Sequence, residues 1–168
     1  MRFQYCNKTR SLVLIFILFA LFSGFSPGLV AAEAPAFQLP TNTSAVSLKK
    51  LRGKVVYLDF WASWCTPCRK SFPWMNEIQS KYKNQGLVVI AVNLDKSKDK
   101  ANEFLSDFKT NFIIAFDPEG TSAENYKVMG MPSSYLINRK GQLQLSHIGF
   151  KQADTDELET KIRKLLKQ

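Results

Sequence analysis

The chain has 168 residues, 45% of them hydrophobic, with 23 lysines and arginines against 14 acidic residues. That length suggests one domain, and that hydrophobic share supplies a core without disulfide or metal staples. The net charge of +9 is spread along the chain rather than gathered into a run, so neither composition nor charge indicates a nucleic-acid partner.

Residues 1–32 differ in kind from the rest. Arg2, Lys8 and Arg10 make a positive start without an acid, and Ser11 to Phe25 carry no charge. Pro27-Gly28 breaks a helix, and Val30 and Ala32 occupy the −3 and −1 positions of a cleavage site. This is the layout of a secretory signal peptide. An uncleaved anchor is the other reading, because the apolar run stretches to the roughly 20 residues that span a bilayer. Cleavage after Ala32 leaves residues 33–168 as the domain. It removes three basic residues and no acid, so the balance becomes 20 − 14 = +6. It also removes Cys6.

AFQLP and AVSL, within 36–48, predict two short strands of an N-terminal hairpin. Lys54 to Trp61 is an almost continuous apolar run, as a buried strand requires. From Pro67 to about Asn84 the apolar residues Phe72, Met75, Ile78 and Tyr82 recur at helical spacing, and Pro73 predicts a kink or break in its first turns. Leu87 to Leu94 is a second buried strand, joined to the first by a right-handed parallel crossover. Asp99 to Phe108 predicts a helix, Asn111 to Phe116 a third strand, and Ala123 to Val128 a short helix. Ser134 to Asn138 and Gln142 to Ile148 form a hairpin turned at Lys140-Gly141. Asp154 to Lys167 is a terminal amphipathic helix. The fold class is α/β, a three-layer sandwich with a mixed central sheet and helices on both faces.

The cysteines carry the chemistry. Without Cys6 the chain keeps Cys65 and Cys68, in WASWCTPCRK. A single CxxC closes a tiny loop and stabilises little. Structural zinc wants four ligands, and beyond two thiols the chain offers one histidine, His147, far away in sequence. Redox chemistry remains. The buried strand ends and the helix begins at Cys65, where unpaired N–H groups and the helix dipole favour a thiolate, the attacking species of disulfide exchange. Cys68 lies one turn on and can resolve a mixed disulfide. Thr66-Pro67 stiffens the first turn, and Trp64 gives an apolar rim.

FWASWCTPCRK after a buried strand resembles the active site of the thioredoxin superfamily. Met131-Pro132 resembles its second signature, the cis-proline loop. The N-terminal hairpin followed by SLKKLRGKVV, and the long stretch between Asp95 and Pro132, resemble the TlpA-like branch of envelope thiol–disulfide oxidoreductases, which includes the cytochrome c maturation reductases. The stretch contains that branch's extra helix–strand insertion. The resemblance implies a thioredoxin-like fold, with Cys65 attacking and Cys68 resolving. It implies Asp59 as a buried carboxylate that takes a proton from Cys68, where many members carry Asn. It implies Trp64, Thr66, Pro67, Met131 and Pro132 as substrate-binding residues. The superfamily's lysine partner to the carboxylate falls at Ala91. Ser71 stands where cytochrome-maturation members often have Glu, a departure from that pattern which leaves a cytochrome role open. By the same resemblance the partners are substrate proteins carrying disulfides and a membrane electron donor. The place of action is the periplasm or the extracytoplasmic face of a bacterial membrane. No metal and no cofactor beyond the redox-active Cys65–Cys68 disulfide is assigned.

Direction follows reduction potential, which runs from about −270 mV for thioredoxin to about −120 mV for the strong periplasmic oxidant. Thr66-Pro67 supplies no imidazole to stabilise the thiolate, which points to a reductase. The alternatives are a disulfide-forming oxidant and a Cu(I) module built on the cysteines with Met129, Met131 or His147.

Overall fold

Strand β3, Val55–Trp61, is buried along its whole length because both faces of the sheet are covered. Val55, Tyr57 and Trp61 enter one apolar cluster, while Val56, Leu58 and Phe60 enter the other. This is the period of two that a pleated strand imposes. Asp59 is the one ionisable carboxylate in the run, and it takes its place between Tyr57 and Trp61 on their face.

The computed structural model describes residues 32–168. The charged start and apolar run of the expected signal segment, with the residue before Ala32, lie outside the described residues. A hairpin of β1, Gln38–Pro40, and β2, Ala45–Ser47, precedes β3. Then follow α1, Thr66–Tyr82; β4, Leu87–Asn93; α2, Lys98–Ser106; and β5, Ile113–Phe116. The short α3, Thr121–Asn125, leads to β6, Ser133–Ile137, β7, Leu143–Ile148, and α4, Thr155–Leu166. The five-stranded sheet has the order β5-β4-β3-β6-β7. β3, β4 and β5 are parallel, and β6 and β7 run antiparallel to their neighbours.

One face of the sheet packs against α1, α2 and α4 through Phe72, Phe104 and Ile162. The other is covered by the N-terminal hairpin, through Phe37, Leu39 and Val46, together with Tyr126 just after α3. The helical layers are therefore unequal, and the hairpin takes much of the work on the second face. Tyr126 donates its hydroxyl to the Pro35 carbonyl at 2.8 Å and fastens that cover.

Pro73 does not break α1, which continues through it to Tyr82. Its neighbours Phe72, Trp74 and Met75 are all buried. Their packing outweighs the backbone hydrogen bond that proline removes. Element ends elsewhere fall within a few residues of the sequence reading. Phe72 is fully buried and has ring contacts with Trp61, Phe104, Phe108 and Phe112 at 5.0 to 5.4 Å. Phe72→Ala is expected to cost about 3–5 kcal/mol, read from urea unfolding. A loss below about 1 kcal/mol would mean that α1 is not anchored there.

Candidate active site

The carboxyl end of β3 feeds directly into α1 through a single turn. The Cys65 amide donates to the Ala62 carbonyl at 3.0 Å, which closes that turn. Cys65 then takes the N-cap position with an extended backbone. Its sulfur accepts the amide of Cys68 at 3.2 Å. Cys65 and Cys68 are joined as a disulfide, with their Cα atoms 5.3 Å apart. In the reduced enzyme the Cys65 sulfur would be a thiol or thiolate, and the same N–H would point at it. Cys68 is fully buried, whereas Cys65 keeps 4% of its surface. The outer sulfur is the one a large partner can reach.

The turn is held from a distance. The Ser63 amide donates to Asp95 Oδ2 at 2.8 Å, and the Ser63 hydroxyl to Asp95 Oδ1 at 2.9 Å. Asn93 Nδ2 donates to Asp95 Oδ2 at 2.7 Å. Asp95 thus gathers three donors just beyond the end of β4 and fixes the residue two before Cys65. Neither Asp95 nor Ser63 was singled out by the sequence reading. The available signal was Asn93-x-Asp95 at the carboxyl end of a parallel strand, where α/β folds collect functional loops.

Asp59 lies in the middle of β3, flanked in register by Ala91 on β4 and Ser134 on β6. Among the described residues no salt bridge involves it, and Ala91 offers no cation. Its Oδ2 is buried without a hydrogen-bond partner, and desolvation pushes its carboxyl well above the ordinary range. Burial of this kind favours the neutral acid and makes the ionised form a stronger base.

The second candidate element lies beside the first. Met131–Pro132 is a cis peptide bond, just before β6. The Ser133 hydroxyl donates to the Gly130 carbonyl at 2.6 Å, and the Gly149 amide to the Pro132 carbonyl at 2.7 Å. Pro132 is buried, while Met131 is half-buried and packs against the cluster that holds both cysteines. Thr66 and Pro67 are exposed on the first turn of α1. Among the described residues the large apolar side chains left exposed are Trp64, Met129 and Ile148. Trp64 belongs to the cysteine turn, and the other two flank the Met131–Pro132 segment. His147 stands apart on β7, with Nε2 3.4 Å from Asp154 Oδ2. A groove of about 300 Å³ beside the turn is lined by Ser63, Trp64, Arg69, Lys100 and Phe104. Arg69 lies over the Phe104 ring at 4.8 Å and pairs with Asp107.

This mixed sheet, with a CxxC disulfide at the start of its first long helix, defines a thioredoxin-like thiol–disulfide oxidoreductase. Comparison with known proteins agrees. The AhpC/TSA family model matches residues 30–146, and the chain belongs to that family. The thiol-disulfide oxidoreductase ResA of Bacillus subtilis is 35% identical over 125 residues, which are 74% of this chain and 70% of ResA. ResA of Bacillus cereus is 32% identical over 172 aligned positions, covering 95% of this chain and 98% of that protein. A Chlorobium tepidum crystal structure, provisionally described as the thiol:disulfide interchange protein DsbE, is 51% identical with a TM-score of 0.79. It covers 81% of this chain, which in turn covers 96% of it.

Two outcomes follow from the carboxylates. A group whose folded-state pKa is raised contributes stability that is complete below its unfolded pKa and declines as pH rises toward the folded value. Asp59→Asn removes that decline. Its melting temperature relative to wild type should therefore be higher at pH 8 than at pH 4, measured on the disulfide form. A difference independent of pH would show that Asp59 ionises normally. Asp95→Ala strands three donors and should cost about 2–4 kcal/mol in urea unfolding. Asp95→Asn should lose less, because the amide oxygen still accepts and its nitrogen can donate to the Ser63 hydroxyl.

Proposed function

We propose that the chain is a reductase of substrate-protein disulfides in the bacterial cell envelope. The observation that carries this reading is the Cys65 sulfur at a helix N-terminus, with Cys68 buried one turn behind it. The Cys65 thiolate attacks one sulfur of a substrate disulfide, and the other leaves as a thiolate. Cys68 gives up its proton, attacks Cys65 Sγ, restores the Cys65–Cys68 disulfide and releases the second substrate sulfur. Two electrons pass to the substrate. Asp59, as the carboxylate, is the proposed acceptor of the Cys68 proton, because it has a free oxygen on that face of the sheet and burial makes its ionised form a stronger base. Trp64, Thr66, Pro67, Met131 and Pro132 are the proposed contacts for the substrate chain, with Met131 offering backbone to an extended segment.

Each turnover leaves the pair oxidised, so a reductant must regenerate it. A membrane electron donor is proposed for that step. The charged start and apolar run before Ala32 support export, and one similar structure is described as an exposed lipoprotein thioredoxin of Streptococcus pneumoniae. Ser71 is buried on α1, and its hydroxyl donates to the Cys68 carbonyl at 3.0 Å, so no carboxylate stands at that position. The substrates are accordingly left as disulfide proteins in general.

Redox titration against glutathione and dithiothreitol tests direction. The expected potential lies nearer about −270 mV than about −120 mV. A value near the upper figure would make the chain a disulfide-forming oxidant. Cys68→Ser should accumulate mixed disulfides at Cys65, whereas Cys65→Ser should accumulate none.

A further inference from the structure

The end of the sheet opposite the CxxC has a charge pattern that the thiol chemistry does not use. Four segments meet there: residues 48–54, 83–86, 138–142 and 165–168. Arg139 ties them together, donating to the carbonyls of Gly53 at 2.7 Å, Gln85 at 3.0 Å and Leu166 at 3.0 Å. These four segments contain no aspartate or glutamate. They present Lys49, Lys50, Lys54, Lys83, Lys140 and Lys167, all exposed. Among the described residues none of the six forms an ion pair. The nearby Glu33 is already paired with Arg52 at 2.7 Å. The CxxC end is different, since Arg69, Lys100, Glu103 and Asp107 mix both signs around its groove.

A second observation is independent of charge. The chain enters the domain at this same end. The Leu143 amide donates to the Ala32 carbonyl at 2.9 Å, the Ala34 amide to the Gly141 carbonyl at 3.0 Å, and Glu33 pairs with Gln142. The uncharged stretch Ser11–Phe25 is therefore joined to the lysine end by residues 26–31. If that stretch is retained as an anchor, its covalent attachment is at this end. If it is removed after Ala32, a new α-amino cation appears at the same end.

We infer that the lysine end is a docking surface for anionic phospholipid, and that docking turns the CxxC end away from the bilayer. A cluster of unpaired lysines is attracted to such a surface within about a Debye length, and salt weakens the attraction. Among the described residues no helix is long and apolar enough to cross a membrane, so these residues would lie on the surface rather than in it. The orientation offers Cys65 to proteins outside the membrane, and it leaves a membrane electron donor to reach the CxxC end from above the surface.

The test is lysine footprinting of the full chain with a water-soluble acetylating reagent, read by mass spectrometry. The protein is bound to phosphatidylcholine vesicles with or without phosphatidylglycerol. On the anionic vesicles the six lysines should label about tenfold more slowly than on the neutral ones, while Lys70 and Lys100 at the other end label equally on both. Raising the salt should restore labelling. A variant with Lys49, Lys50, Lys83 and Lys140 all changed to Gln should lose protection at Lys54 and Lys167. Equal labelling on the two vesicles, or equal protection at both ends, would overturn the inference. So would protection by a single-stranded oligonucleotide as strong as by the vesicles, which would reassign the surface to nucleic acid.

Discussion

The contact on which the site depends is the one between the Cys68 amide and the Cys65 sulfur, 3.2 Å apart. It exists because a helix begins at Cys65, and a helix leaves its first amides without partners. A sulfur placed there completes the helix when neutral and is stabilised further when negative. The rest of the fold serves to keep that junction in place. β3 is buried on both faces, α1 is anchored in the core by Phe72, Met75 and Ile78, and the turn between them is tied by the Ser63–Asp95 and Cys65–Ala62 hydrogen bonds.

Two buried carboxylates near the junction have opposite surroundings. Asp95 accepts three hydrogen bonds and is a fastener for Ser63. Asp59 has an unpartnered oxygen, and burial pushes its carboxyl well above the ordinary range. A carboxyl group whose hydrogen bonds are satisfied holds a loop, whereas burial without partners favours the neutral acid. The two carboxylates therefore differ in their partners, one just beyond the end of β4 and the other in the middle of β3. Keeping Asp59 at the centre of the sheet costs stability.

Much of this was legible in the amino-acid sequence. β3 could be read because an apolar run of that length has to be buried. The CxxC could be read because its place between strand and helix leaves few other uses for two thiols. Pro73 misled, since its backbone preference is local while the packing of Phe72, Trp74 and Met75 is not. The uneven cover of the sheet was also hidden, because three-residue strands such as β1 and β2 give little periodicity. The Asp95–Ser63 clamp spans 32 positions and joins ordinary polar residues, so nothing local marks it. The lysine end was invisible for a similar reason. Its cations are dispersed in sequence, and the positive charge looked evenly spread until the loops were folded together at Arg139.

The measurement that reaches the central claim most directly is the pH dependence of iodoacetamide alkylation of the reduced protein, followed at each cysteine by mass spectrometry. If the helix start activates the outer sulfur, Cys65 should react first, with a midpoint well below the ordinary thiol value of about 8.5, and Cys68 should lag at every pH. A midpoint near about 8.5 for Cys65, or labelling of Cys68 ahead of it, would contradict the account.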